Sequence, residues 1–240
     1  MAKIGVLGGM GPAASADFLT KLVQLTPATC DQEHLPVVVA NLPHVPDRSR
    51  AILGQGASPL AAMCASIDLL VQAGCGVIVV PCNTSHHWYP ELAKHSPIPV
   101  LHIAEVCIAS VSSSGTTAIL GTQGCIQSGF YQRTIAAHGG ICHVPDANSL
   151  QPSIDASIAG VKGGDLAGGA RHLETVFRNL SKKGVNAVVL GCTELPLAVP
   201  GCDPSSYEGM TLVDSILELA RASVRYGIER GWNNPAQRLI

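Results

Sequence analysis

Two cysteines carry the strongest chemical signal in this 240-residue chain. Cys82 ends the run Val77-Ile78-Val79-Val80-Pro81 and is followed by Asn83, Thr84, Ser85 and His86. Cys192 ends the run Ala187-Val188-Val189-Leu190-Gly191 and is followed by Thr193 and Glu194, 110 residues further on (82 to 192). Short, continuous apolar runs of this kind predict buried parallel strands. Ligand sites of open α/β sheets lie just beyond the carboxyl ends of such strands. A helix beginning after each cysteine would lower the thiol pKa through its dipole. Two such thiols facing one carbon from opposite sides can exchange protons with it: one thiolate removes a proton and the opposite thiol returns one to the other face. That chemistry is racemisation or epimerisation. Asn83, Thr84, Thr193 and local N–H groups are the candidate donors that steady the carbanion.

The other cysteines, Cys30, Cys64, Cys75, Cys107, Cys125, Cys142 and Cys202, read as small buried hydrophobes. Two other site chemistries compete. Nine Cys and nine His invite a metal, yet no C-x-x-C pair and no H-E-x-x-H run occurs, so no metal is expected. A Cys82 nucleophile with His86 or His87 as base is the second, but it leaves the Cys-Thr-Glu segment unexplained. Glu194 either tunes Cys192 or binds an ammonium group; its plainer reading is an acid at a helix N-terminus.

The elements that must position these residues alternate strand with helix, which predicts an α/β fold with parallel sheets. Ile4–Leu7 is a strand entering Gly8-Gly9-Met10-Gly11-Pro12, and a helix follows over Ala13–Leu25. The glycines let N–H groups approach an anion at the helix start. The pattern is not G-x-G-x-x-G, so a small carboxylate suits it better than a dinucleotide. Pro36–Asn41 is the next strand, then a loop carrying Arg48. Arg48 is either a solvated loop charge or a two-pronged carboxylate grip.

Leu60–Val71 reads as a helix, Ser85–Lys94 as another, Pro97–Leu101 as a short strand, Ala104–Val111 as a helix, and Ser112-Ser113-Ser114-Gly115 as a linker. Thr116–Leu120 starts a strand again. Gly121 aligns with Gly8 at an offset of 113, close to the 110 between the cysteines, so the chain is read as two copies of a βα unit. Helices near Ser128–His138, Leu150–Val161 and Leu166–Lys183 and a strand at Ile141–Val144 follow. Thr211–Arg230 is predicted as one amphipathic helix that packs back on the first half.

Composition excludes several classes of function. A net charge of −2 argues against a nucleic-acid or anionic-membrane partner. No apolar run reaches the roughly 20 residues that span a bilayer, and no signal h-region forms. Nine cysteines without an export signal predict reduced thiols and a cytoplasmic protein.

The segments G-V-L-G-G-M-G-P (5–12), P-D-R-S (46–49), P-C-N-T-S-H (81–86), L-G-T (120–122), S-G-F-Y-Q (128–132) and L-G-C-T-E-L-P (190–196) resemble the pyridoxal-phosphate-independent aspartate/glutamate racemase superfamily, in its aspartate racemase branch. The resemblance implies two pseudo-symmetric α/β domains, 1–98 with 210–240 and 99–209, and an active site in the cleft between them. It implies catalytic Cys82 and Cys192, the first handling the D enantiomer and the second the L.

By the same resemblance Asn83, Thr84 and Thr193 hold the amino acid's carboxylate and ammonium, and Met10 and Gly11 form the first loop. Arg48 and Lys162 grip the distal carboxylate, while Thr122 and Glu194 complete the substrate set. Cys125 departs from the pattern, standing where many relatives have Thr. No cofactor is implied, the expected partner is an amino-acid substrate, and a homodimer is common in the family. The expected activity is racemisation of aspartate, with glutamate next. The alternatives are a broad-specificity racemase, a maleate isomerase-like enzyme, and a non-catalytic carboxylate-binding protein.

Overall fold

The computed structural model describes residues 2–111 and 115–234. The chain divides into two compact units, 1–106 with 216–240 and 107–215. The expected linker at Ser112–Ser114 lies outside the described residues.

The first unit is built on a three-stranded parallel sheet of order β2-β1-β3. Its elements are β1 (Lys3–Gly8), α1 (Pro12–Leu25), β2 (Val37–Asn41), α2 (Arg48–Ile52), α3 (Leu60–Gln72), β3 (Cys75–Val79) and α4 (Tyr89–His95). Apart from Lys3 at its start, β1 is apolar, as is β3, and both are nearly fully buried, as parallel strands covered on both faces must be. Pro12 opens α1 where a missing N–H costs nothing. α5 (Ile103–Ile108) carries the chain into the second unit.

There the parallel sheet has the order β5-β4-β6-β7. Its elements are β4 (Thr116–Leu120), α6 (Gln123–Ser128), α7 (Phe130–Ala137), β5 (Ile141–His143), α8 (Gln151–Lys162), α9 (Leu166–Lys182), β6 (Ala187–Leu190), α10 (Leu195–Ala198) and β7 (Thr211–Asp214). α11 (Ser215–Glu229) then returns the chain to the first unit.

The central strand pairs of the two sheets share one register. Ile4 pairs with Val77, Gly5 with Ile78 and Val6 with Val79. In the second sheet Thr117 pairs with Ala187, Ala118 with Val188 and Ile119 with Val189. The first partners are offset by 113 (4 to 117) and the second by 110 (77 to 187), the two spacings seen in the sequence. Beyond β3 a single parallel bridge, Ile78 to Val100, stands where β7 flanks β6.

Five expectations need correction. Pro97–Leu101 forms only that one bridge, because two prolines remove the donors a strand would use. The predicted helix from Thr211 begins as β7, since Thr211-Leu212-Val213 pairs in register with β6. Ser85–Lys94 is a 3-10 turn over Thr84–Trp88 and then α4, split at Pro90 in the first turn of the second helix. The loop carrying Arg48 ends in α2, capped by Asp47, whose carboxylate accepts from the Arg50 N–H at 2.8 Å. The helix near Ser128 is two helices, because Gly129 takes a left-handed φ of 70° that ends α6 and starts α7.

The last helix does pack on the first unit, where a Cβ on Gly76 would meet the Trp232 ring and one on Gly227 the Leu35 side chain. All nine cysteines are free; Cys30 is exposed rather than buried, and Cys64 and Cys142 are half-buried. Among the described residues no helix is long and apolar enough to cross a membrane.

Candidate active site

In the first unit the Cys82 loop and the first glycine loop meet. Cys82 sits three residues past Val79, buried, with its N–H bonded to the Val80 carbonyl at 2.8 Å. Asn83 and Thr84 are buried beside it. Met10 shares an apolar cluster with Cys82, Val45 and Trp88, and its sulfur accepts the Ser85 hydroxyl at 3.3 Å. The glycine loop is tighter than its sequence implies. The Gly9 N–H is taken by the Ser15 hydroxyl at 3.0 Å, and that hydroxyl reaches the Gly11 carbonyl at 3.4 Å. Gly11 itself has open space around it.

Arg48 begins α2, which packs near the turn that follows Cys82. Its Nη1 donates to the carbonyls of Val45 and Pro46 at 3.2 and 3.1 Å. Its Nε is buried with no partner among the described residues. A guanidinium N–H has no acceptor capacity and is costly to leave unmatched.

His86 is not a base. Its Nδ1 lies 3.0 Å from the Cys82 carbonyl oxygen, not from the thiol. A carbonyl only accepts, so Nδ1 carries the proton. The ring is buried among Tyr89 and His102, with centroids 6.3 and 5.4 Å away. Burial, with the neighbouring His102 second, lowers its pKa from 6.5 to about 3. So weak a base takes no proton from a thiol at neutral pH. His87 is exposed and packs edge-on against Trp88.

The second unit assembles a charged group at the end of β6. The Cys192 thiol donates to Glu194 Oε2 at 2.9 Å, and the Thr193 hydroxyl donates to the same oxygen at 3.0 Å. Lys162, the last residue of α8, faces Glu194 Oε1 at 3.8 Å. Burial first, then the Glu194 carboxylate, raise the Cys192 thiol well above its ordinary range, and Lys162 opposes them. The expectation that a helix N-terminus lowers this pKa is therefore corrected. α10 is four residues long, and burial, with the adjacent carboxylate second, outweighs its dipole.

Gly191 brings β6 against β4, since a Cβ there would lie 3.0 Å from the Leu120 carbonyl oxygen. Thr122 is employed as the N-cap of α6, accepting from the Cys125 N–H at 3.2 Å. Sequence reasoning missed Gln151. Buried at the start of α8, it donates to the Gly121 carbonyl and to Asp155, both at 2.9 Å, and so ties the Leu120–Thr122 turn to α8. The Gln151/Asp155 spacing of four on a helix is the one signal that marks the pair.

Thus Met10, Gly11, Arg48, Cys82, Asn83 and Thr84 belong to the first unit, and Thr122, Lys162, Cys192, Thr193 and Glu194 to the second. Among the described residues no three His, Cys, Asp or Glu side chains form a metal-holding group.

Similarity to known proteins gives the family. The Asp/Glu/Hydantoin racemase family model matches residues 7–223. The broad specificity amino-acid racemase RacX of Bacillus subtilis (strain 168) is 26% identical over 229 residues, 92% of this chain and 96% of its own length. A glutamate racemase of Corynebacterium diphtheriae is 30% identical over 157 residues, 63% of this chain and 57% of its own. The structure of Picrophilus torridus aspartate racemase superposes with a TM-score of 0.80 at 28% identity, covering 97% of this chain and all of that one. With nearly its whole length matched, the chain belongs to the Asp/Glu/hydantoin racemase family and is an isomerase of the racemase class.

Proposed function

We propose that this racemase acts on aspartate, with glutamate as the next substrate, through two-base proton transfer at Cα by Cys82 and Cys192. The observation that carries the reading is the register of the two sheets. Each cysteine follows, by three residues, one of a pair of corresponding strand residues, Val79 and Val189. The thiolate of one cysteine takes the Cα proton, leaving its electron pair on Cα and, by delocalisation, on the carboxylate. The thiol of the other delivers a proton to the opposite face. One C–H and one S–H bond break and one of each forms, so no oxidant, reductant or cofactor enters the balance.

Asn83, Thr84 and Thr193 hold the α-carboxylate and ammonium group, beside Met10, Gly11 and Thr122. The buried Nε of Arg48 supports its role on the distal carboxylate, and Lys162 shares its ammonium between that carboxylate and Glu194. A second reading, racemisation of a wider range of amino acids, is favoured by the similarity to the broad-specificity enzyme over nearly the whole chain.

The test is solvent exchange. Given L-aspartate in D₂O without pyridoxal phosphate, the enzyme washes deuterium into Cα. No exchange with either enantiomer overturns the reading. Cys82→Ala and Cys192→Ala each lower racemisation by about 10²–10⁴-fold, the usual worth of a general acid or base, and full activity in either refutes the two-base scheme. A panel of neutral and acidic amino acids separates the narrow from the broad specificity.

A further inference from the structure

The carboxylate beside Cys192 has a consequence for the order of events in a turnover. We propose that Glu194, anchored by Lys162, holds Cys192 in its thiol form in the resting enzyme, so that Cys192 begins a turnover as the proton donor. The inference rests on the two-cysteine reading and goes beyond it by giving the two thiols different starting states.

The geometry has three parts. Glu194 Oε2 receives the Cys192 S–H at 2.9 Å and the Thr193 O–H at 3.0 Å, so one oxygen is fixed by two donors. The other oxygen faces Lys162 Nζ at 3.8 Å, so that the carboxylate spans the cation and the thiol. The sulfur itself is buried in the core formed by Leu120, Val161, Ala170, Leu173 and Leu195, where a thiolate is poorly solvated. Glu194 and Lys162 are the charged groups that act on it. α9 presents apolar Ala170 and Leu173 to that core. Tyr131 packs under Gly191, and its phenol stays protonated because it is fully buried.

A thiolate on Cys192 would stand against the Glu194 carboxylate, and the two charges repel. The thiol is instead a hydrogen-bond donor to that carboxylate. When Cys192 gives its proton to the carbanion, the resulting thiolate faces Glu194 and is the less stable form of the pair. The enzyme resets when water returns a proton to Cys192 and the partner cysteine loses one to water, with no net change. Glu194 therefore acts through Cys192 as a positioning residue, and Lys162 moderates it.

The experiment is a thiolate titration of the full-length protein by ultraviolet absorbance, read as the difference between the parent and its Cys192→Ala variant. The Cys192 signal in the parent emerges only above pH 9.0, the ordinary thiol value. In Glu194→Gln the midpoint falls by about one unit or more, roughly tenfold more thiolate at a given pH below it, and the alkaline limb of the pH–rate profile moves with it. In Lys162→Met, at an exposed position, the midpoint rises. A Cys192 thiolate already present in the parent at pH 7, or a midpoint that neither variant moves, overturns the proposal. Loss of solvent exchange with the titration intact would instead strike at the two-cysteine reading.

Discussion

His86 makes the fold acid-sensitive by an amount that follows from its burial. The imidazole is neutral in the folded state, with a pKa lowered from 6.5 to about 3 by desolvation and then by His102. In the unfolded chain it titrates at its ordinary value. The folded pKa is the lower of the two, so the stabilisation is complete above pH 6.5 and is lost as pH falls toward 3. At pH 5 the unfolded state gains a proton that the folded state refuses, over 1.5 units below 6.5. At about 1.4 kcal/mol per unit this amounts to about 2 kcal/mol.

Set against a total stability of about 5–15 kcal/mol, that is a measurable fraction. With a urea slope of about 2–3 kcal/mol per molar, the midpoint falls by about 0.7–1 M between pH 8 and pH 5. His143 is lowered too, by burial and then by Lys183, and adds in the same direction. The assay is urea unfolding of the parent and of His86→Asn at pH 8, 6 and 5. The asparagine amide can take over the bond to the Cys82 carbonyl but cannot titrate. The variant loses about 1–3 kcal/mol at pH 8 from the smaller side chain, yet its midpoint moves less between pH 8 and 5. Parallel acid losses in parent and variant would refute the assignment of His86 as the buried neutral group.

Two further outcomes follow from the site. Arg48→Leu removes the donors proposed for a distal carboxylate, worth about 1.5–3 kcal/mol for charge-assisted bonds. It should lower kcat/KM for aspartate by about 10–100-fold while neutral amino acids change little; an equal loss for both would show that Arg48 does not read the side chain. Gly191→Ala places a Cβ 3.0 Å from the Leu120 carbonyl, which costs about 1–3 kcal/mol of strain. The expected result is a lower Tm together with lower racemisation, because Cys192 is the next residue, and an unchanged Tm counts against the close approach of β4 and β6.

The strands were legible because they are buried on both faces. Val77–Val80 and Ala187–Leu190 read as continuous apolar runs, and their register preserved the two offsets found in the chain. The helices with a clear apolar stripe, α1, α3, α8 and α9, also lie within a residue or so of their predicted limits. Errors arose where a local pattern competed with a tertiary partner. Thr211–Asp214 carries helical periodicity but lies beside β6, whose open edge it completes. Pro97–Leu101 has the apolar content of a strand but loses two donors to Pro97 and Pro99. The break at Gly129 needed a backbone angle that spacing does not reveal.

The sequence by itself determined which residue types stand at the strand ends, and hence the family: two cysteines, each trailed by short polar side chains, at one repeat distance. Tertiary structure decided what each of those groups is. It set His86 Nδ1 on the Cys82 carbonyl, in a desolvated cluster that keeps it neutral. It buried Cys192 and set Glu194 against it, which reversed the thiol shift expected from a helix dipole, with Lys162 opposing. Apolar periodicity depends on neighbours along the chain and can be read there. Protonation depends on burial and on charges brought in from other elements, α8 in the case of Cys192.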